Sequence, residues 1–193
     1  MINRFLLSLG IVLTLFAPAL AVGPTIPGEV LIANKKTVAL TGNSVVISVP
    51  AGYTNLRVVL TGRSDAVVAA QGVLITFNAI ATGYDYDFIE TSGSSTPTSN
   101  LTTGATGIGG SAVPGTTATT NYPGTIQIFV PNYSGTTFAK GLLAKCGFLN
   151  GSTTVIREIT GTCSSTAAIT SISFTLNGGG NFVSGSSATL IAE

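Results

Sequence analysis

The sequence predicts an all-β protein, an antiparallel β-sandwich of jelly-roll type that follows an N-terminal signal peptide. Three observations carry this expectation. Apolar and polar residues alternate with period two through many short runs, as in "SISFTL" at 171–176, the pattern of strands with one buried face. These runs are rich in Val, Ile and Thr and stop at clusters of Gly, Pro, Asn or Ser, the residues that form turns. Nothing reads as a long amphipathic helix, and many short strands with regular turn signals argue for a sandwich or jelly roll.

Taken in order, the chain of 193 residues opens with Asn3 and Arg4, an apolar run from Phe5 to Phe16, and then Ala19-Leu20-Ala21. A basic start, an apolar core and an A-x-A site describe a secretory signal peptide cleaved after Ala21. The run is shorter than the roughly 20 apolar residues a spanning helix needs. Residues 22–193 are then a single β-sandwich domain. Strands are expected at Glu29–Ala33, Thr37–Leu40, Ser44–Val49, Asn55–Leu60, Val73–Asn78 and Tyr84–Glu90. Further strands are expected at Thr125–Val130, Thr137–Cys146, Thr153–Thr160, Ile169–Leu176 and Ser187–Ile191. Residues 66–70 read as a linker or edge segment, because β-branching at Val67 and Val68 weakens a helical turn.

The stretch 91–121 is almost entirely Ser, Thr, Gly, Pro, Ala and Asn. Such a composition buries little area, so it reads as a long low-complexity surface loop, inert or partner-contacting. At the other end, Ile172, Phe174 and Leu176 share the more apolar face of their strand. Gly178–Gly180 makes a reversal, and Phe182, Ala188 and Leu190 complete a final antiparallel hairpin.

Charge and residue counts narrow the chemistry. Only 8% of residues are charged and the net charge is +1. Without a basic stripe, nucleic acid is an unsuitable partner. Little net charge instead suits a protein that packs into an oligomer or assembly. Histidine is absent, which removes His-based triads, His-ligated zinc and the His general base. The two cysteines, Cys146 and Cys163, suggest a disulfide in an exported chain. It would close a loop of about 17 residues, worth roughly 3 kcal/mol in the chain-entropy model. The alternative is two free buried thiols.

Carboxylates concentrate in "YDYDFIE" at 84–90. On a strand Asp85 and Asp87 share one face at roughly 7 Å. With Glu90 they are the candidate contacts for a cation, calcium being the one that suits oxygen ligands, or for another ligand. A solvated strand face and a pair of glycosidase acids are the competing readings. Tyr84, Tyr86 and Phe88 then point to the core; turned outward, they would make a sugar-stacking platform. Arg63-Ser64-Asp65 reads as a turn, with Asp65 taking backbone hydrogen bonds and Arg63 or Arg57 paired with an acid.

Three stretches carry a resemblance: "VPAGYTNLRVVLTGRSDA" at 49–66, "IFVPNYSGTTFAKGLLAKCG" at 128–147 and "STAAITSISFTLNGGGNFVSGSSATLI" at 165–191. Together they resemble small β-rich structural or tail-associated proteins encoded by tailed bacteriophages and prophages. "GNFVSGSSATL" at 180–190 is the most specific piece. The resemblance implies an all-β, decoration-like or tail-associated module and supplies no catalytic residues. The chain departs from it in the signal peptide and in ending "ATLIAE" rather than on an aromatic-glycine pair.

The functional expectation is therefore a non-enzymatic structural protein, secreted or on a cell or virion surface, whose partners are itself or other structural subunits. The alternative is an exported module that binds glycans or a host surface. A hydrolase using Asp85 and Asp87 stands behind both.

Overall fold

The computed structural model describes residues 34–193. The signal peptide at 1–21 and the strand at Glu29–Ala33 lie outside the described residues. Twelve strands follow: β1 (Asn34–Ala39), β2 (Ser44–Ser48), β3 (Leu56–Gly62), β4 (Ala70–Phe77), β5 (Tyr84–Ser92) and β6 (Thr98–Ala105), then β7 (Ile108–Pro114), β8 (Gly124–Val130), β9 (Lys140–Asn150), β10 (Thr153–Cys163), β11 (Ser171–Leu176) and β12 (Ser187–Ala192).

They form two antiparallel sheets. One has eight strands in the order β1-β12-β3-β8-β9-β10-β5-β6, the other four in the order β2-β11-β4-β7. The alternation read from sequence decides which side chains lie between the sheets. In β11, Ile172, Phe174 and Leu176 are buried while Ser171, Ser173 and Thr175 are half-buried. Burying a side chain such as Phe174 contributes about 1.5–3 kcal/mol. Leu40, Ile47, Leu56, Leu60, Ile75 and Ile126 join it in one continuous core. The all-β, two-sheet sandwich expected from the alternation is what the chain forms.

Three features differ from expectation. First, the stretch 91–121 contains two strands, β6 and β7, and β7 is one of the most buried strands. Small residues are what allow this. A Cβ on Gly109 would lie 2.6 Å from the Tyr86 hydroxyl, and one on Gly110 2.9 Å from the Phe88 ring. Glycine lets the aromatic rings of β5 close directly onto the β7 backbone.

Second, no disulfide forms: Cys146 and Cys163 are both free and buried. The segments do fold back as a hairpin, but its turn lies at Gly151-Ser152, off-centre between the cysteines. Cys146 is opposite Arg157, and Cys163 is opposite Lys140. Cys163 thus stands six residues beyond the register partner of Cys146, roughly 20 Å along the strand. A disulfide requires Cα atoms within about 7 Å. The cysteines therefore give no sign of an oxidising compartment.

Third, the closing segments are not a hairpin. β11 lies in the four-stranded sheet and β12 in the eight-stranded one. Gly178, Gly179 and Gly180, with φ of 91, 102 and 78°, carry the chain from one layer to the other instead of reversing it within a sheet. Phe182, Ala188 and Leu190 are buried as expected.

Candidate functional site

Strand β5 shows how the two faces of the large sheet are used. Tyr84 is completely buried and its hydroxyl accepts the Phe77 N–H at 2.8 Å. Burial pushes its pKa up to about 12. Tyr86 and Phe88 follow on the same inner side, over Gly109 and Gly110, so the strand presents no aromatic platform outward. Asp85 and Asp87 take the outer side. Asp85 Oδ1 accepts the Gly104 N–H at 2.7 Å and pins the irregularity where β5 and β6 shift register. Asp87 Oδ1 is shielded from water without a hydrogen-bond partner.

Glu90 belongs to the inner side. It pairs with Arg157 Nη2 at 2.5 Å, and Arg157 also donates to the Gly110 carbonyl at 2.9 Å. The three carboxylates of 84–90 are thus split between two faces, and Glu90 is taken up by an internal ion pair. Among the described residues no three Asp, Glu, His or Cys side chains converge. The turn at 63–65 is structural. Asp65 accepts the Asn181 N–H at 2.6 Å, which holds its carboxyl below the usual pKa. Arg63 donates to the carbonyls of Thr119, Tyr122 and Gly115, and Arg57 pairs with Glu193 at 3.0 Å.

The unexpected surface is the outer face of the eight-stranded sheet. Its centre is a groove of about 580 Å³ lined by Arg57, Val59, Gln127, Phe129, Leu143 and Ile191, among others. The Arg57 guanidinium lies 5.5 Å from the Phe129 ring centroid. Lys145 and Glu158, opposite each other on β9 and β10, pair at 2.7 Å. Around them stand exposed apolar side chains: Leu143 is 58% exposed, Ile156 51%, Ile89 51% and Leu101 70%.

No family model, curated protein or solved structure matches the chain. The outer face accordingly rests on its own geometry.

Sequence reasoning missed this face although the signal was present. Six strands of the large sheet carry adjacent apolar residues: Val58-Val59, Phe88-Ile89, Ile128-Phe129, Leu142-Leu143, Val155-Ile156 and Leu190-Ile191. In a strand, neighbours point to opposite faces. The second member of each doublet must therefore leave the core that the first one enters. The outer side of the small sheet is mixed: Ser44 hydrogen bonds Thr175 at 2.7 Å and Thr76 hydrogen bonds Ser173, and only Val46, 68% exposed, stands out among them as a large apolar side chain.

Proposed function

We propose that the chain is a non-enzymatic structural subunit of a virion or surface assembly, and that it associates with further copies of itself through the outer face of the large sheet. The carrying observation is the set of six apolar doublets in that sheet. Strands apolar on both faces are characteristic of sheets covered on both sides, and among the described residues this sheet is covered on one.

Area and charge favour a second copy as the cover. Eight strands spaced about 4.8 Å apart, each roughly seven residues long, present on the order of 800 Å². That is about one partner's share of a standard interface. The face carries both signs of charge, Arg57 with Glu193 and Lys145 with Glu158, so two copies meet without net repulsion.

Strand order supports a jelly roll as the finer description. With β5, β6, β9 and β10 set aside, the order reduces to β1-β12-β3-β8 facing β2-β11-β4-β7. Two four-stranded antiparallel sheets are the jelly-roll pattern of viral capsid and lectin domains. The removed strands extend one sheet and carry Leu143, Ile156, Ile89 and Leu101. Because lectins share the pattern, glycan binding is the second reading, favoured by the unpartnered Asp87 Oδ1.

Sedimentation of the wild type and of Leu143→Lys tests the assignment. The wild type is expected well above monomer mass, and Leu143→Lys, whose side chain is already mostly in water, is expected to stay folded and dissociate. A wild type that remains monomeric at every concentration would sink the assembly reading. Retention on a glycan array by that monomer would then favour the second.

A further inference from the structure

The large sheet ends in a strand that the chain itself does little to hold. Strand β6 packs substantially on β5 alone, and of its eight residues only Thr102 and Ala105 are better than exposed. Ordering a residue costs backbone entropy, and β6 buries almost nothing in return. Its far edge has no strand partner among the described residues.

The other three edges are guarded. β1 carries Lys35 and Lys36, charges that discourage edge pairing. β2 is only five residues long, and short edges are likewise protective. β7 ends in Pro114 and has its Gly110 carbonyl taken by Arg157. Strand β6, "TSNLTTGA", has neither charge nor proline. Its regular run is Thr98–Thr102, since Thr103 and Gly104 fall in the register shift.

The geometry points to β6 as a pairing edge for β6 of a second copy, antiparallel about a twofold at Asn100, joining the two large sheets into one. This rests on the assembly reading above and adds to the face contact a second contact of a different kind. The run matches itself. About Asn100, Thr98 meets Thr102, Ser99 meets Leu101, and Asn100 meets its own copy, so no charges are opposed. Leu101, 70% exposed on the outer face, would lie diagonally across from its counterpart, within reach of a long side chain, and make the apolar faces of the two copies continuous. Main-chain hydrogen bonds supply the attraction, as in strand addition generally. Two distinct self-contacts on one subunit are what extended growth requires.

Charge at the twofold tests this. Asn100→Lys and Asn100→Asp each place like charges directly opposite, which is destabilising, whereas mixing the two variants places opposite charges there. Each variant alone is expected to raise the concentration for half-assembly about fivefold, stopping at the face-to-face dimer, with melting unchanged. An equimolar mixture is expected to recover wild-type assembly. If Asn100→Lys assembles as the wild type does, or if the mixture stays as small as its components, β6 pairing is overturned while the face contact stands. A monomeric wild type would overturn both.

Discussion

Arg157 and Glu90 face each other across β10 and β5 in register and are ion-paired with their side chains only 17% and 28% exposed. The same guanidinium lies 5.3 Å from the Phe88 ring centroid and donates to the Gly110 carbonyl on β7. One side chain thus links the extension of the large sheet to the edge of the small one. Arg157→Ala leaves Glu90 and the β7 carbonyl without their donor and is expected to destabilise the fold by about 2 kcal/mol. Lys145→Ala removes a pair that is 69% and 63% exposed and is expected to cost less than about 0.5 kcal/mol. Urea denaturation of both variants checks the ordering; equal losses would mean that Arg157 is not a linking residue.

Gly161 on β10 faces β7 across the sandwich. A Cβ there would lie 2.6 Å from Ile108 Cγ2, and Ile108 is fully buried. Gly161→Ala is expected to destabilise by about 1–3 kcal/mol through overpacking. Gly141, also in the large sheet, has only the Gly161 carbonyl within reach, at 3.7 Å. Gly141→Ala is expected within about 0.5 kcal/mol of wild type. Thermal melting of the two alanines decides whether small residues are needed at the β7 contact or merely tolerated.

Both thiols are buried and apart, so reductant is expected to leave the melting temperature unchanged. Alkylation should modify both cysteines only after unfolding. Burial raises the pKa of Cys146 above that of an ordinary thiol, which keeps the folded thiol protonated and slow to react. A raised pKa also sets the direction of linkage. The contribution is complete below the unfolded pKa and is lost as pH rises through the folded one. Cys146→Ala should therefore show a smaller loss of stability above about pH 9 than the wild type. A mass lowered by two protons and restored by reductant would contradict the free-thiol structure.

Most of the fold was legible because alternation is a strong signal where apolar side chains are large. It marked β2, β3, β5, β8 and β11 to within two or three residues at each end. It failed on β7, where the contact surface is the backbone of Gly109 and Gly110 and the apolar mass belongs to Tyr86 and Phe88 on another strand. A composition rule that equates small residues with solvent cannot find such a strand. The disulfide failed for a different reason: pairing depends on register, and register was set by where Gly151 turned the chain. Of the carboxylate site, parity correctly separated Asp85 and Asp87 from the aromatic residues. It also places Glu90, an odd number of residues from each aspartate, on the opposite face.

The pairing of β1 with β12, which sets Lys36 opposite Leu190 and Ala39 opposite Ser187, has a consequence for biosynthesis. β3 also borders β12, and β2 borders β11. β1 and β2 therefore wait for β12 and β11 before their backbone groups find a strand neighbour, and β3, which pairs earlier with β8, waits for the second of its two. Domains with such long-range contacts fold slowly, and a nascent chain of this kind exposes unpaired apolar strands while synthesis proceeds. The chain is expected to need protection from aggregation until residues 187–192 arrive, and a truncation just before them should yield an insoluble product rather than a smaller folded one.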